Sequence, residues 1–375
     1  MVCSRAASLW LLGSAGITSA ADAVSNVSSC IWRPVAETPM LTLGSLFTGA
    51  SWNDPSSKMI AAARPEDATA PTRVMYASAN DLTAQPFEPV RVYRLVTTKA
   101  EPTSAADWRL EPPTPVLAPV LPYTGCETPD VVVTKDGVHH MFITTYQGTP
   151  PGAATNFTIG HALSRDGGLS FNLLTSTLVS PTKVQTDWNG DIVGEPAPAL
   201  MPNGDLHLYF TAVGVSLKEK AAVQSIGLII SKDNGRSFSS PQQVIVPDQS
   251  LWPLSKGYVG YSTPSAAVGP DGILHLFSDV ASNAPDPLYG PGNNWLQVAL
   301  QHSWSIDGLT FHQDRKPLLV RDSFKWTARE IRSPAPTFHK NLLGGYTLWV
   351  RLLPLVVNGP AVAFGNHSDA SLKAL

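Results

Sequence analysis

Apolar and polar residues alternate with period two along most of this chain, in short runs that turn sequences interrupt. Four stretches share one layout; they are CETPDVVVTKDGVHHMFITTY from Cys126, GEPAPALMPNGDLHLYFTA from Gly194, YSTPSAAVGPDGILHLFSDV from Tyr261 and IRSPAPTFHKNLLGGYTLWV from Ile331. Each has a proline near its start, an Asp or Asn seven residues later, and then another β-rich run. This layout predicts β-hairpins, because Asp-Gly and Asn-Gly are strong signals for a tight turn between two strands.

The prolines of these stretches recur at a nearly constant spacing. Pro129, Pro196, Pro264 and Pro334 are separated by 67, 68 and 70 residues, and a weaker copy at Pro55 lies 74 residues before Pro129. Units of about 70 residues with several short strands each are typical of propeller blades. We therefore predict an all-β fold, a five-bladed β-propeller. Two β-sandwiches would not explain a period that runs through the whole chain.

A second motif recurs in three of the units. SRDGGLSF begins at Ser164, SKDNGRSF at Ser231 and SIDGLTF at Ser305. The Asp and Gly shape a tight turn, and the aromatic residue anchors that turn to the core. The motif resembles the Asp box of sialidases and other propellers, which is a structural device and not a catalytic one.

Composition restricts the class of partner. The chain has 375 residues, of which 43% are hydrophobic, and a net charge of −3. This is enough apolar material for a large core, and the weak charge argues against nucleic acid or a membrane surface as a partner. No segment after the N-terminus has about 18 unbroken apolar residues. We expect a soluble protein that is a monomer.

The N-terminus is typical of an export signal. Arg5 supplies a positive charge, Leu9–Ile17 is apolar, and Ala21–Ala23 has the spacing of a cleavage site. We predict that residues 1–23 are a signal peptide, that residues 24–375 form a single catalytic propeller domain, and that the protein is secreted or periplasmic. An apolar N-terminal strand is the alternative.

Two cysteines would remain in the exported protein. Cys3 would be removed with the signal, whereas Cys30 and Cys126 would stay. In an oxidising compartment they either form a disulfide or remain unpaired, and the sequence leaves both possibilities open.

The residues before each repeated proline mark one register of the propeller. The first strand of each blade lines the central channel, so residues at its head converge at one mouth of a funnel. In blade order they are Asp54, Thr128, Glu195, Thr263 and Ser333, preceded by Asn53, Glu127, Gly194, Ser262 and Arg332. Asp54 and Glu195 therefore share a register in blades that face each other. Two carboxylates across a cleft suit glycoside hydrolysis, with one as general acid and the other as base or nucleophile.

Other residues near these heads are candidates for supporting roles. Glu127 and Asp130 add carboxylates, and a neighbouring negative charge raises the pKa of an acid. Arg332 can bind a carboxylate or hydroxyl of the substrate, or hold a carboxylate ionised. Candidate substrate-binding residues are Trp52, Asn53, Trp188, Tyr258, Tyr261 and Trp326, because flat aromatic faces suit sugar rings. Packing between blades is the alternative role of the aromatics.

Three short motifs carry a family resemblance. WNDP from Trp52 and ETPD from Glu127 resemble motifs of invertases, and GEPAP from Gly194 is similar to the E-G-P acid motif of arabinanases and β-xylosidases. These families are five-bladed propeller glycoside hydrolases, and the resemblance implies Asp54 as nucleophile or base. An invertase-like R-D-P element is missing, and Gly194 precedes Glu195 instead of following it, so the acid is either Glu195 or Glu127. The resemblance favours furanoside or xyloside substrates and implies no cofactor, apart from a calcium or sodium ion in the channel that no residue here demands.

Two other functions stay open at this point. An exo-sialidase would account for the Asp boxes and for IRSPAPTF, which resembles the sialidase R-I-P element, although the candidate arginines do not share a register. A non-catalytic carbohydrate-binding propeller would keep every structural feature, and replacing Asp54 and Glu195 would leave its binding intact. His139 and His140 point to opposite faces of a strand, and the other histidines lack ligand spacing, so we predict no metal site.

Overall fold

The computed structural model describes residues 44–55, 60–61, 73–81, 89–99, 102, 104–148, 155–218, 221–284 and 296–323. It also describes the backbone of strands at 2–4, 31–33, 332–340 and 346–353, and the backbone alone at 51, 53–55 and 60–61. The regular structure in these residues is β-strand, apart from short 3-10 helices at Ala105–Asp107, Leu254–Lys256 and Arg321–Ser323. None of the described helices is long and apolar enough to cross a membrane.

The described strands are numbered along the chain. The first eleven are β1 (Val2–Ser4), β2 (Ile31–Arg33), β3 (Ala50–Pro55), β4 (Ile60–Ala61), β5 (Arg73–Asp81), β6 (Arg91–Thr97), β7 (Arg109–Leu110), β8 (Gly125–Val133), β9 (His139–Gln147), β10 (Thr155–Ser164) and β11 (Asn172–Val179). The other eleven are β12 (Ile192–Leu200), β13 (Leu206–Ser216), β14 (Ala221–Ser231), β15 (Gln242–Ile245), β16 (Tyr258–Val268), β17 (Leu274–Ser282), β18 (Leu296–Ser305), β19 (His312–Gln313), β20 (Leu319–Val320), β21 (Arg332–Lys340) and β22 (Tyr346–Leu353).

These strands form antiparallel meanders. Three sheets have the orders β3-β5-β6-β7, with β4 on β5, then β11-β10-β9-β8, and β2-β1-β22-β21. A larger sheet has the order β12-β13-β14-β16-β17-β18-β19, with β15 on β14 and β20 on β18. Within the described strands its two halves are joined by one parallel residue pair, Gln224 with Gly260. The larger sheet therefore consists of two meanders.

The first strands of these five meanders lie next to one another. β3 contacts β8, β8 contacts β12, β12 contacts β16, β16 contacts β21, and β21 contacts β3. This cyclic arrangement of inner strands is that of a propeller, so the predicted all-β propeller is confirmed. The number of blades stays a prediction, with which the five described meanders agree. We number the blades one to five in the order of these inner strands.

The last meander combines strands from the beginning of the sequence with strands from its end. Val2–Ser4 pairs with β22 on one side and with Ile31–Arg33 on the other. Residues 44–47 form a turn and bends ahead of β3. Strand β1 lies inside the segment predicted to be a signal peptide, and removal of that segment stays a prediction.

Three of the four predicted hairpin turns are confirmed, and the fourth, at 341–345, lies outside the described residues. Gly137, Gly204 and Gly272 have a φ of 78°, 93° and 81°, which is the left-handed region that glycine enters without steric cost. Each donates its N–H to the carbonyl oxygen three residues earlier, closing the turn between the first and second strands of its blade.

The three S-x-D turns share one hydrogen-bond pattern. In the first, Asp166 Oδ1 accepts from Ser164 Oγ at 2.6 Å and from the Leu169 N–H at 3.0 Å. Burial alone would raise the pKa of Asp166, but hydrogen bonds from Ser164 and Ser170 lower it to about 2. Asp233 and Asp307 accept the corresponding bonds in the other two turns.

A glycine of each S-x-D turn packs against the preceding blade. A Cβ added to Gly168 would stand 1.9 Å from Tyr76 Oη of blade one. The two equivalent contacts are Gly235 with the His140 ring, at 2.7 Å, and Gly308 with His207 Nδ1, at 2.6 Å. These turns therefore set the spacing between neighbouring blades at positions where only glycine fits.

The apolar core lies between the blades. Tyr76 and Met141 belong to the cluster between blades one and two, and Phe142 and Phe210 to the cluster between blades two and three. A third cluster, which includes Tyr261, joins blades three and four. Burial of these faces holds the inner strands in register, and that register positions the candidate site.

Candidate active site

Each inner strand carries a β-bulge at its repeated proline. The pairing with the neighbouring strand slips at Asn53/Pro55, Glu127/Asp130, Gly194/Ala197, Ser262/Ser265 and Arg332/Ala335. A bulge inserts one extra residue, bends the strand and redirects a side chain, and bulges are frequent beside active sites. The prolines that repeat in the sequence therefore mark the same structural position, a β-bulge, in each inner strand.

The pre-proline residue of three blades has a left-handed backbone. Thr128, Glu195 and Thr263 have a φ of 47°, 53° and 44°. This conformation costs a non-glycine residue about 1–2 kcal/mol, and the following proline restricts the backbone further. A costly conformation repeated at one register indicates that the surrounding packing imposes it, and such positions cluster at functional sites.

Glu195 connects blades three and four. Its Oε2 accepts hydrogen bonds from Thr211 Oγ1 at 2.6 Å and from the Thr263 N–H at 2.7 Å. The Thr263 N–H also donates to Thr211 Oγ1 at 3.0 Å. The side chain is half-buried, and the two donors contact the same one of its oxygens. The carboxylate is therefore held in one position at the head of the inner strands.

A chain of hydrogen bonds connects the pre-proline residues of blades two, three and four. Thr128 Oγ1 and Thr144 Oγ1 are 2.5 Å apart, and the Glu195 N–H donates to Thr144 Oγ1 at 2.7 Å. From Glu195 the chain continues through Thr211 to Thr263. Polar contacts thus fix the bulges relative to one another, which apolar packing alone would do less specifically.

Glu127 lies two residues before the proline of blade two. Its Oε1 accepts a hydrogen bond from Tyr146 Oη at 3.0 Å, and the residue is half-buried. Burial, and then the charge of Glu127, raise the pKa of Tyr146, so the phenol stays protonated and donates. Asp130 is fully buried, and its Oδ1 accepts the Val131 N–H at 2.8 Å. Blade two therefore places two carboxylates on its inner strand, next to the blade that carries Glu195.

Part of the predicted site lies outside the described side chains. The backbone places Asp54 at the bulge of β3, which is the position that Glu195 has in β12. Arg332 is at the bulge of β21, one residue from the equivalent position. The side chains of Asn53, Asp54 and Arg332, and the whole of Trp326, lie outside the described residues.

Two aromatic residues predicted to bind sugar belong to the core. Trp52 is buried with its ring edge-on to Tyr93, and Tyr261 is fully buried with its hydroxyl donating to Gln313. For these two residues the structure shows the alternative role, packing in the core: Trp52 packs within blade one and Tyr261 packs between blades three and four. Trp188 and Tyr258 are half-buried, and their binding role stays a prediction.

Sequence reasoning missed the threonines opposite the bulges. Thr144 pairs with Glu127 across β8 and β9, and Thr211 pairs with Gly194 across β12 and β13. Each lies 15 residues after the proline of its own blade, so the repeat contained a signal. The contact to the next blade depends on packing between blades, which the pattern of one strand does not specify.

Four histidines form two buried cross-strand pairs. His140 Nδ1 lies 3.0 Å from His161 Nε2, and His275 Nδ1 lies 3.1 Å from His302 Nε2. Burial lowers the pKa of His161 and of His275 to about 3, so both rings are neutral. In the described part of the chain, no group of three or more His, Cys, Asp or Glu side chains is placed to hold a metal ion.

Cys126 is a buried free thiol at the head of β8. Its predicted partner, Cys30, lies outside the described residues. Of the two possibilities for Cys126, the structure shows the unpaired one. Burial raises the pKa of the thiol to about 12.

Solved structures with the same fold include carbohydrate-active enzymes. The protein BT0996, in a complex with RGII, aligns over 84% of this chain and 90% of its own, with a TM-score of 0.58 and 11% identity. A family 117 glycoside hydrolase produced by the marine bacterium Zobellia galactanivorans aligns over 81% and 84%, with a TM-score of 0.51 and 14% identity. An endo-arabinase from Bacteroides thetaiotaomicron aligns over 86% and 98%, with a TM-score of 0.50 and 14% identity.

No protein-family model and no curated protein matches the chain. These three structures share only 11% to 14% sequence identity with the chain, so the similarity is one of fold. At that level the predicted resemblance to propeller glycoside hydrolases is confirmed.

Proposed function

We propose that this protein is a glycoside hydrolase that cleaves glycosidic bonds at the mouth of the propeller funnel. The observation that carries the proposal is the position of Glu195, a carboxylate held by two donors at a left-handed bulge of an inner strand. A surface glutamate needs neither the bulge nor the bonds to the next blade. The named activities of two structures with the same fold support the proposal.

In this proposal Asp54 and a glutamate divide the chemistry. Asp54 acts as base or nucleophile, because the resemblance to WNDP implies that role and its backbone occupies the bulge equivalent to that of Glu195. Glu195 donates the proton to the leaving group, and Glu127 is the alternative acid. Asp130 and Arg332 support the carboxylates and the substrate. Furanosides and xylosides are the favoured substrates.

The proposal extends to where the protein acts. Residues 1–23 direct export, and the mature protein works as a monomer on extracellular or periplasmic carbohydrate without a cofactor. Mass spectrometry of protein recovered from the medium or periplasm tests this point. An N-terminus near residue 24 supports export, whereas an intact β1 contradicts it.

A product screen tests the proposed activity. Purified protein is incubated with arabinans, fructans, xylo-oligosaccharides, agaro-oligosaccharides and sialosides, beside Asp54→Asn, Glu195→Gln and Glu127→Gln. Glu111→Gln is the matched control, because Glu111 lies beyond the outer strand β7 and pairs there with Arg94 and Arg109. We expect release of sugar that Asp54→Asn abolishes and Glu111→Gln leaves unchanged.

The other results of the screen also decide between functions. Release from sialosides alone would make the protein a sialidase. Binding without release from any substrate would make it a carbohydrate-binding propeller and overturn the proposed activity. Full activity in Glu195→Gln, together with loss in Glu127→Gln, would assign the acid to Glu127.

A further inference from the structure

The residues opposite the bulges are polar in four successive blades. Each pairs with the residue two before the repeated proline, in the second strand of its blade. In blade order these residues are Ser78, Thr144, Thr211 and Asp279. In blade five the equivalent residue is Leu353.

Two of these residues hold the bulge of the next blade. Thr144 Oγ1 accepts the N–H of Glu195 at 2.7 Å, and Thr211 Oγ1 accepts the N–H of Thr263 at 3.0 Å. In both cases the acceptor lies in the second strand of one blade and the donor is the pre-proline residue of the next. Ser78 does not make this bond, since its buried Oγ has no hydrogen-bond partner among the described residues. Among the described residues, this hydrogen bond between neighbouring blades therefore first occurs between blades two and three.

Asp279 is the next residue in this series and differs from the others in charge. It lies in β17 opposite Ser262 and is 0% exposed. β17 contacts β21, the inner strand of blade five, whose pre-proline residue is Ser333. A buried carboxylate is stable only when hydrogen bonds or opposite charges compensate for its lost hydration. A backbone N–H at the position where Glu195 and Thr263 present theirs supplies such a bond.

We propose that Asp279 is a positioning residue that accepts the N–H of Ser333 and thereby fixes the bulge of blade five. A carboxylate makes roughly twice as strong a hydrogen bond as a neutral hydroxyl. Blade five is thus held more firmly than blade three, where Thr144 is the acceptor. In blade four the Thr263 N–H is already shared between Thr211 and the Glu195 carboxylate. The residue directly before Ser333 is Arg332. The same bond therefore fixes the backbone of this arginine, which is predicted to support either the substrate or a carboxylate of the site.

Amide exchange tests the hydrogen bond without any substrate. The exchange rate of the Ser333 amide is measured in the wild type and in Asp279→Asn, Asp279→Thr and Asp279→Val, with the Thr263 amide as internal reference. Threonine and valine have nearly the same shape, so they isolate the hydrogen bond. We expect Asp279→Val to exchange at least fivefold faster than Asp279→Thr at Ser333, with no difference at Thr263.

Equal exchange at Ser333 in Asp279→Thr and Asp279→Val would overturn the proposal. If Asp279→Val does not fold, the Ser333 exchange rate of the wild type is compared with that of Asp279→Asn and of Asp279→Thr. Both should exchange at least threefold faster than the wild type, because a neutral acceptor replaces a charged one. No change in either variant would overturn the proposal equally.

Kinetics test the consequence for Arg332, and this part rests on the proposed function. With the substrate that the product screen identifies, Asp279→Asn and Asp279→Thr should raise KM at least tenfold while kcat changes less than threefold. Unchanged KM in both variants would contradict the link to Arg332. A wild type that releases no sugar would overturn the proposed function, and the exchange rates would still decide whether Asp279 holds Ser333.

Discussion

Two adjacent glycines allow the contact between blades one and two to be measured separately from backbone strain. Gly167 and Gly168 both lie in the first S-x-D turn, with a φ of 78° and 83°. A Cβ on Gly167 meets no atom within 4 Å, whereas one on Gly168 would stand 1.9 Å from Tyr76 Oη. Tyr76 is fully buried, so its neighbours in the close-packed core confine its ring. Alanine at the two sites therefore carries the same backbone penalty and a different steric one.

The magnitudes follow from these contacts. Gly167→Ala should cost about 1–2 kcal/mol of unfolding free energy, which is the penalty of a left-handed backbone for a residue with a Cβ. Gly168→Ala should cost about 1–3 kcal/mol more, which is the usual cost of inserting a methyl group into a packed core. Tyr76→Phe removes the clashing oxygen and leaves Cζ at 3.2 Å from the added Cβ. In the double variant we therefore expect about 1–2 kcal/mol of the extra cost to be recovered, as coupling energies of contacting residues allow.

Urea unfolding, followed by tryptophan fluorescence, measures these differences in the wild type, Gly167→Ala and Gly168→Ala, each with and without Tyr76→Phe. The reasoning requires Gly168→Ala to be less stable than Gly167→Ala, and Tyr76→Phe to narrow that gap. Equal stability of the two alanine variants would refute it, because the S-x-D turn would then not limit how closely blades one and two approach. A gap that persists in the Tyr76→Phe background would show that another contact causes it.

Three further predictions concern the site and the core. Thr211→Val removes a hydroxyl that donates to Glu195, so it should lower the unfolding free energy by about 1.5–3 kcal/mol and reduce kcat; urea unfolding and initial rates measure both, and no change in either would contradict the role of this bond. Because burial lowers the folded-state pKa of His161 and of His275 to about 3, their contribution to stability is complete above the unfolded pKa of about 6.5 and is lost as the pH falls from there towards 3. Thermal unfolding between pH 7 and pH 4 should show this decline, and His161→Phe should reduce it. Cys126, whose pKa is raised to about 12, should react with a thiol reagent at pH 8 only after denaturation, and fast labelling of the folded protein would contradict its burial.

The repeat was sufficient to predict the propeller and the register of its inner strands. The prolines occur at intervals of 67, 68 and 70 residues because each ends a bulge at the same depth in its blade. This register, together with the GEPAP motif, indicated Glu195 as a candidate acid. The left-handed conformation of Glu195 was not foreseen, since it results from packing between blades and not from the local sequence.

The sequence was less informative about which side chains face solvent. Trp52 and Tyr261 lie near the predicted funnel in the sequence but point into the core. The alternation of residues along a strand assigns them to its two faces, but it does not show which face packs against the next blade. Contacts such as Thr211 with Thr263, or His275 with His302, need the register between strands as well as the pattern within each.

The most direct test of the account is the activity of Glu195→Gln on two substrates that share a sugar and differ in leaving group. A natural glycoside needs a proton on its leaving oxygen, whereas an activated aryl glycoside leaves with little help from an acid. If Glu195 is the general acid, the variant should lose at least a hundredfold in kcat/KM on the natural glycoside, within the range usual for general acid catalysis, and far less on the aryl glycoside. Equal losses on both substrates, or none on either, would contradict the claim that the bulge of blade three places an acid at the substrate.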